Sequence, residues 1–350
     1  MSGTGVKFVQ LFPSKCSAVI FALYIALFVN QGIIIKWSQE RGEYDYNIVI
    51  VVLMTEVLKL VCSIILYCKE NTLSSLFVEV VKHKKVLYLY MVPSSLYCLY
   101  NNLSFVNLAA FDPPTYYLLM QLRVVITGLI FQLVFKKQLS RKQWLSLVLL
   151  TIGCMIKNLN LDSNHSLPKA RFHININIIF ILIQTICSCL AGVYNEYLLK
   201  SEGSGVNIFV QNVFMYVDSI LCNITVLFIQ GNLIQAFDNA SSHIFMEPKV
   251  LLIMFNNAAI GIITSFFLKN LNSIVKTFAS ALELIFSAVL CWILFDIPIH
   301  LNTAIAITIV SLAVIIYSRN PVQNNRLKSG DNIDDEETEK FIEKRDSQFV

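Results

Sequence analysis

The sequence has little charge for its length. Only 14% of its 350 residues are aspartate, glutamate, lysine or arginine, whereas an ordinary soluble domain has about a quarter. Hydrophobic residues make up 56% of the chain, and the mean hydropathy is +0.63. This composition excludes an ordinary soluble domain and predicts a membrane protein.

The sequence also lacks motifs for catalysis and for metal, cofactor or nucleic-acid binding. Its nine cysteines lie mostly in apolar runs, with no CxxC pair and no histidine partner at metal spacing, so they are predicted to be small packing residues. It contains no P-loop, no GxGxxG after a strand and no nucleophile beside a base. The net charge of +4 forms no basic stripe suited to nucleic acid. We therefore expect no enzymatic activity, no cofactor, no metal and no nucleic-acid partner.

What the chain has instead is a series of apolar segments of about 20 residues, the length of a helix that crosses a bilayer. Most are joined by short turns. The segment at 143–156 is short for a span, so nine or eleven spans remain open. The prediction is an all-α membrane protein with ten transmembrane helices, at 16–36, 47–67, 85–108, 114–135, 143–156, 174–199, 208–229, 250–268, 274–295 and 301–317.

Lysine and arginine predict the orientation, because cytosolic flanks retain them. Most of them flank one side of the ten spans, and the other side has only Arg41, Lys157, Lys169, Arg171 and Lys249. Both termini are therefore expected in the cytosol. On that topology the sequons at Asn164 and Asn239 fall in lumenal loops. The polar segment 318–350 is expected to be a disordered cytosolic tail.

A weak internal repeat favours two related halves. Sliding the chain by 160 residues aligns 134–156 with 294–316, and each stretch contains a span, a tight polar turn and a span. Two halves of five spans each would enter the membrane in opposite directions and place a binding site at the midplane. The predicted organisation is a cytosolic segment 1–15, a first repeat 16–158, an inverted repeat 159–317 and the tail.

Arg123 lies near the middle of the fourth span, in the stretch TYYLLMQLRVVITGLIFQLVF. Ionisable groups inside spans are costly and are functional candidates by default. An arginine stays charged, so at this depth it needs an acidic partner or a water-filled cavity with an anionic ligand. The 160-residue offset sets Glu283 opposite Arg123, so a structural salt bridge between them is the alternative to a ligand site.

Other polar side chains inside the spans widen the candidate site. Cations that pair with phosphate, tyrosines that stack on a ring and amides that read a base edge together favour a nucleotide-like anion. The alternative is that these amides and tyrosines only join helices by hydrogen bonds. Glu56 and Lys59, three residues apart, are predicted to form a local pair and are retained as site candidates. The further intramembrane candidates are Asn101, Asn102, Gln121, Glu196, Asn212, Tyr216, Ser265 and Lys276.

Several blocks, in this order, resemble the nucleotide-sugar transporters of the Golgi and endoplasmic reticulum. The blocks are TEVLKL (55–60), YNNLSFVNLAAFDPPTYYLLMQLRVVITGL (100–129), LSRKQWLSLVLLTIGCMI (139–156), AGVYNEYLLK (191–200), VQNVFMY (210–216) and SIVKTFAS (273–280). The similar branch carries CMP-sialic acid, UDP-galactose and UDP-N-acetylglucosamine, and the resemblance is greatest to a UDP-galactose transporter. The family fold implied has ten spans in two inverted halves.

The resemblance implies an antiporter that brings a nucleotide sugar into the lumen and returns the nucleoside monophosphate. Arg123 and Lys276 would bind the diphosphate, and Tyr117 would lie against the nucleotide. The other positions that match the family's site are Asn101, Asn102, Gln121, Asn212, Tyr216, Thr264, Ser265 and Ser280. The chain departs from the family pattern at Asn272-Ser273 and at Glu283, on the side of the cavity expected to face the sugar.

The sugar and the partners therefore stay open at this stage. UDP-galactose with UMP is the expected substrate pair, and UDP-N-acetylglucosamine or CMP-sialic acid is the alternative. The expected location is the Golgi membrane, with the endoplasmic reticulum as the alternative. A scaffold of the same fold that transports nothing, or an exporter of small metabolites, is the alternative function. A homo-oligomer, or a complex with glycosyltransferases, would be compatible with either function.

Overall fold

The computed structural model describes residues 12, 14–38, 48–110, 116, 119–158, 176–229, 247–295 and 301–320. Helices and turns account for these residues, and no β-strand occurs among them. Tyr117, the sequons at Asn164 and Asn239, residues 1–11 and the tail beyond residue 320 lie outside the described residues, and the expectations for them stay predictions.

Eleven α-helices are described. A π-helical turn, Leu198–Glu202, continues the seventh helix. By length and composition, seven of the described helices can cross a membrane: α1, α2, α7 with its π turn, α8, α9, α10 and α11. The prediction of an all-α membrane protein is confirmed. The helices are α1 Lys15–Ser38, α2 Ile48–Cys68, α3 Leu73–Lys82, α4 Lys84–Ala110, α5 Arg123–Phe135, α6 Arg141–Asn158, α7 Ile176–Tyr197, α8 Ile208–Ile229, α9 Pro248–Asn270, α10 Ser273–Phe295 and α11 Leu301–Arg319.

The fourth predicted span differs from the structure. The sequence predicted one unbroken helix at 114–135, whereas the chain makes a turn at Gln121–Leu122 and α5 begins at Arg123. Around this turn the Leu122 N–H donates to the Leu119 carbonyl at 3.1 Å, three residues back instead of the four of an α-helix. Hydropathy carries no signal for such a turn because the residues on both sides are equally apolar. The turn places Arg123 at a helix N-terminus.

The helices pack as a bundle in which neighbours in space are often far apart in sequence. The main pairs are α4 with α7 and α8, α9 with α1 and α2, α2 with α8, α5 with α7, α10 with α1, and α6 with α11. The α6–α11 pair is close because of Gly153, where an added Cβ would lie 2.9 Å from a methyl carbon of Val310. The largest hydrophobic cluster includes Tyr24, Phe131 and Phe267.

Contacts between helix ends define one end of this bundle. Lys85 at the start of α4 pairs with Glu202 after α7, with Nζ and Oε2 3.1 Å apart. Gln143 at the start of α6 donates to the Asn320 carbonyl after α11 at 2.9 Å. Lys200 donates to the Leu271 carbonyl between α9 and α10. We call this the basic end, because its helix ends carry Lys69, Lys82, Lys84, Lys85, Lys136, Lys137, Arg141, Lys142, Lys200, Lys269 and Arg319.

Candidate functional site

A polar cavity of about 110 Å3 lies between α5, α6, α7 and α10. Its wall includes Gln121 and Arg123 on the α5 side and Lys276 and Ser280 on α10, so four predicted site residues meet although up to 159 positions separate them. Such a polar space between apolar helices is where a transported ligand is expected. The remaining lining residues are Val124, Thr127, Cys154, Ser188, Cys189, Gly192, Ser273, Thr277 and Ala281.

The cavity is electropositive. Arg123 is the first residue of α5, and Lys276 lies in the first turn of α10, close enough to Arg123 for their charges to repel. No acidic residue occurs among the described lining residues. The arrangement therefore suits an anion with more than one negative charge, which would relieve the repulsion between the two cations.

Hydroxyl groups complete the wall of this cavity. Thr127 follows Arg123 by one helical turn, and Ser280 follows Lys276 in the same way, so each cation has a hydroxyl on its own face. Ser188 and Ser273 contribute further hydroxyls from α7 and α10. The sequence reasoning did not include Ser188, Ser273 or Thr277 in the site. Ser188 lies one turn from Gly192 and Ser273 one turn from Lys276, and Thr277 directly follows Lys276. Apolar helices contain many such serines and threonines, so these positions alone do not predict a site.

A second polar cluster, the α2–α8–α9 cluster, contains Glu56, Lys59, Tyr216, Gly261 and Ser265. Lys59 pairs with Glu56 at 2.7 Å between Nζ and Oε1, so the predicted local pair is confirmed. The same ammonium lies 5.7 Å from the centre of the Tyr216 ring, in cation–π geometry. Gly261 makes room for both, since an added Cβ would lie 2.8 Å from Lys59 Cε and 3.0 Å from the Tyr216 hydroxyl.

Three buried polar atoms on α8 have no hydrogen-bond partner among the described residues: Asn212 Nδ2, the Tyr216 hydroxyl and Asp218 Oδ2. Asn212 and Tyr216 lie one helical turn apart. Buried donors and acceptors in native proteins nearly always have partners. The Asn212 amide, one turn from Tyr216, is therefore a position at which an acceptor of a ligand would bind.

Four predicted site residues make hydrogen bonds within their own helices. Asn102 Nδ2 donates to the Cys98 carbonyl at 2.8 Å, Thr264 Oγ1 to the Ile260 carbonyl at 2.7 Å, and Ser265 Oγ to the Gly261 carbonyl at 3.4 Å. Asn101 is exposed, and its carbonyl accepts from the Ser104 hydroxyl at 2.6 Å. None of the four is among the residues that line the cavity. Their predicted roles in binding stay predictions.

The two acidic candidates on α7 and α10 lie outside the cavity lining. Glu283 is partly buried, one turn beyond Ser280. The predicted salt bridge between Glu283 and Arg123 stays a prediction. Glu196 is fully buried, pairs with Lys200 at 2.7 Å and accepts hydrogen bonds from Ser273 at the start of α10. Glu196 therefore joins helices at the basic end.

A buried amide network that the sequence reasoning missed lies between α4 and α7. Asn107 Nδ2 donates to Gln184 Oε1 at 2.7 Å, and Gln184 Nε2 donates to the Tyr116 hydroxyl at 2.7 Å. Gln184 and Asn107 are fully buried. The sequence feature that could have indicated this network is the presence of neutral amide side chains inside predicted spans. The network fixes Tyr116, the residue next to Tyr117, against the bundle.

Comparison with models of known protein families finds a family that matches most of the chain. The model of the family described as nucleotide-sugar transporter matches residues 14–318. That range contains all eleven described helices except the last residue of α11. It also contains every residue of the cavity wall.

Individual relatives are similar over nearly the whole chain. The chain is 55% identical over 346 residues to the UDP-galactose transporter senju of Drosophila melanogaster, which covers 90% of this chain and 89% of that protein. It is 29% identical to CMP-sialic acid transporter 1 of Oryza sativa subsp. japonica, over 85% of this chain and 93% of that protein. A solved crystal structure that is 12% identical superposes with a TM-score of 0.62, over 90% of this chain and 99% of that chain. At that identity the likeness concerns the fold alone.

Proposed function

The chain belongs to the nucleotide-sugar transporter family, and we propose that it exchanges UDP-galactose for UMP across the Golgi membrane by alternating access around the cavity at Arg123 and Lys276. The sugar is proposed from the relative named a UDP-galactose transporter, which is far more similar to this chain than the relatives named CMP-sialic acid transporters. UDP-N-acetylglucosamine and CMP-sialic acid are the alternatives.

The observation that carries this proposal is the pair of cations in one polar cavity without an acid in its described wall. A nucleotide sugar carries about two negative charges on its diphosphate, so Arg123 and Lys276 would leave the occupied cavity close to neutral. A neutral cavity can reorient through a low-dielectric bilayer at a smaller electrostatic cost than a charged one. Because the monophosphate has a similar charge, the electrostatic cost of reorienting the occupied carrier would be similar in both half-cycles of the exchange.

The α2–α8–α9 cluster supports a place for the nucleoside. The Asn212 amide, which has no partner among the described residues, and the Tyr216 side chain supply a donor and a polar ring, as a uracil or ribose would require. In this arrangement Tyr117, Asn101 and Asn102 would contact the nucleotide from the first half of the chain. The hydroxyls of Ser280 and its neighbours in the cavity would face the sugar. These assignments rest on the matched positions and on the geometry of α5, α8 and α10.

The packing pattern supports ten spans in two inverted repeats, 16–158 and 159–317. If α1, α2, α4, α5 and α6 correspond to α7, α8, α9, α10 and α11, then each helix pair should have a counterpart. The pair α4–α7 matches α9–α1, the pair α4–α8 matches α9–α2, and the pair α5–α7 matches α10–α1. The pairs α2–α8 and α6–α11 are their own counterparts. A two-fold relation with its axis in the membrane plane accounts for all of them.

The basic end supports an orientation with both termini in the cytosol. This end carries the lysines and arginines that flank α4, α5, α6 and α9, and cytosolic flanks are enriched in such residues. The start of α1 and the end of α11 belong to the same end, because Phe21 packs against Phe267 near the end of α9 and Gln143 bonds to Asn320. The tail 318–350 would then extend into the cytosol.

The test is exchange in proteoliposomes of the purified full chain preloaded with UMP or CMP, with labelled UDP-galactose, UDP-N-acetylglucosamine and CMP-sialic acid outside. We expect uptake of UDP-galactose that requires internal UMP. Arg123→Gln and Lys276→Gln should each reduce that uptake at least tenfold while the protein remains folded in detergent. Lys142→Gln, an equal change of charge at an exposed position of the basic end, should leave uptake unchanged.

Each other outcome removes a defined part of the proposal. Uptake of one of the other two nucleotide sugars alone would change the substrate and keep the exchange mechanism. Uptake that is the same without internal nucleotide would exclude obligatory exchange. A folded protein that takes up none of the three would favour the non-transporting scaffold, in which Arg123 and Lys276 have no substrate.

A further inference from the structure

The short helix α3 lies between two long helices of the bundle and cannot cross the membrane. Its 10 residues span only about 15 Å. Residues 69–72 separate α3 from α2, and one residue separates it from α4. At the start of α3 the Thr72 side chain accepts a hydrogen bond from the Ser75 N–H at 3.3 Å. The Tyr67 hydroxyl at the end of α2 and the Ser75 hydroxyl are hydrogen-bonded at 3.1 Å. The helix is therefore fixed to the basic end of the bundle.

The side chains of α3 divide into three faces. Leu76 is buried and, with Val80, packs into a cluster with Tyr67, Tyr90 and Phe214 of α2, α4 and α8. Phe77 and Val81 form a second face and are 66% and 71% exposed. Leu73 and Val78, 52% and 65% exposed, extend that face. The third face is polar, with Ser75, Glu79 and Lys82.

An exposed apolar face of this kind is costly in water and is typical of helices that lie in the plane of a membrane interface. The position of α3 in the bundle also indicates, independently, that it lies at the membrane interface. The chain leaves α2 at Cys68 and enters α4 at Lys84, so α3 must lie at the level where two neighbouring helices reach the surface of the bundle. Its apolar outer face therefore points toward the lipid boundary, and its polar face toward water.

Four lysines surround α3: Lys69, Lys82, Lys84 and Lys85. The side chains of Lys82 and Lys85 are 63% and 79% exposed. Glu79 is shared between Lys82 at 3.4 Å and His83 at 3.2 Å, and Lys85 contacts Glu202 at 3.1 Å. Counting Glu70 as well, the lysines outnumber the acids around the helix. This excess of positive charge is complementary to an anionic headgroup layer.

We propose that α3 is an interfacial helix that inserts Phe77, Val78 and Val81 into one leaflet and binds anionic phospholipid headgroups through Lys82, Lys84 and Lys85. On the proposed orientation this is the cytosolic leaflet. The headgroups stabilise the contact of α3 with the ends of α2, α4 and α8. Only the choice of leaflet rests on the proposed function, because insertion and lipid binding follow from the faces of α3 and its lysines.

The position of the helix is tested with nitroxide labels at neighbouring residues in the full chain reconstituted in phosphatidylcholine with phosphatidylserine. The exposed Cys16 and Cys68 are replaced by serine, and labels are placed singly at Val81→Cys and Lys82→Cys. We expect the label at 81 to be accessible to oxygen and shielded from a water-soluble nickel complex, and the label at 82 to be accessible to nickel. Equal access of nickel to both labels would place α3 in water and overturn the proposal. Shielding of both from oxygen and nickel would indicate a protein contact there and would also overturn it.

The lipid preference is tested by thermal unfolding of the purified full chain in detergent with added phosphatidylserine or phosphatidylcholine. We expect phosphatidylserine to raise the melting temperature more, and K82Q/K84Q/K85Q to remove at least about half of that difference. K136Q/K137Q/K142Q is the matched control, with the same loss of charge at another loop of the basic end. An equal loss in both variants would show that the effect is not specific to α3 and would overturn the proposed lipid site. Neither test measures transport, so its outcome is separate from that of the exchange assay.

Discussion

The backbone N–H of Ser273, the first residue of α10, donates a 2.7 Å hydrogen bond to the carboxylate of Glu196 near the end of α7. The Ser273 hydroxyl donates to the same carboxylate oxygen. Lys200, one turn after Glu196, pairs with its other oxygen at 2.7 Å and donates to the Leu271 carbonyl after α9. The anion thus lies at the N-terminus of α10 and the cation at the C-terminus of α9, as both helix dipoles favour. Because Ser273 lines the cavity, this link also forms part of the cavity's boundary at the basic end.

Glu196→Gln should destabilise the protein strongly. The substitution leaves the Lys200 cation, whose side chain is only 17% exposed, without its anion. Removal of one partner of a buried pair costs about 3–5 kcal/mol. E196Q/K200M removes both charges and should recover part of that loss. Thermal unfolding of the purified variants in detergent measures both effects.

The exposed pair of Lys85 and Glu202 provides the control for this prediction. Glu202→Gln should cost less than about 1 kcal/mol, because water already solvates both groups. If Glu196→Gln were no more harmful than Glu202→Gln, the link between α7 and α10 would not contribute to stability. Its role at the boundary of the cavity would then have to be abandoned.

Gly261→Ala should disturb the α2–α8–α9 cluster. The added methyl would lie 2.8 Å from Lys59 Cε and 3.0 Å from the Tyr216 hydroxyl, so both side chains must move. If this cluster holds the nucleoside, the apparent KM for the nucleotide sugar should rise several-fold with a smaller change in kcat. The comparison variant is Gly32→Ala, which lies outside the cavity lining and whose new methyl would meet only the Ser287 hydroxyl at 3.9 Å. An unchanged KM in Gly261→Ala would remove the cluster from the proposed binding site.

Gly153→Ala should weaken the contact between α6 and α11. The added Cβ would lie 2.9 Å and 3.2 Å from methyl carbons of Val310 and Ile309, and 3.3 Å from the Val310 backbone nitrogen. Overpacking of this kind costs about 1–3 kcal/mol, and the backbone atom cannot yield by a change of rotamer. Gly205→Ala is the control, because no atom lies within 4 Å of the added Cβ. Melting temperatures of the two variants should differ, with Gly153→Ala the lower.

Gln184→Leu should destabilise the protein by leaving the Tyr116 hydroxyl and the Asn107 amide of the buried network unpaired. Each buried polar group without a partner costs about 1–3 kcal/mol. Tyr116→Phe in the same protein removes one of the two orphaned groups, so Q184L/Y116F should be more stable than Gln184→Leu alone. Thermal unfolding of the two proteins checks the order. The reverse order would show that the network does not hold Tyr116 in place.

Much of the fold could be predicted from the sequence because the lipid bilayer restricts which backbone structures can cross it. Every backbone polar group in the hydrocarbon layer must be paired within its own segment, so long apolar runs become helices. The predicted spans at 208–229 and 274–295 agree closely with α8 and α10. The sequence did not predict helix α3, because 10 residues with one polar face are too short to be recognised as a membrane span.

The site was accessible only in part. Arg123 and Lys276 could be singled out because a charge inside an apolar run is expensive, and the structure places both at one cavity. Ser188 and Thr277 could not, since a serine or threonine in a helix costs little and carries no comparable signal. Glu196 had the same signal as Arg123, yet it caps a helix and pairs with Lys200. A charged residue inside a span therefore indicates that the residue has a role, but does not show whether that role is ligand binding or contact between helices.

By itself the sequence determined that this chain is a helical membrane protein, because composition and the length of apolar runs decide how a chain inserts into lipid. The resemblance of its sequence blocks indicated the nucleotide-sugar transporter family. The tertiary structure decided which charges share a space. Arg123 and Lys276 repel each other across one cavity, whereas Glu56 and Glu196 each neutralise a nearby lysine. The two glutamate pairs are local in sequence, whereas the proximity of Arg123 and Lys276 depends on how α5 and α10, far apart in the chain, pack together. Electrostatic energies at low dielectric vary steeply with such distances.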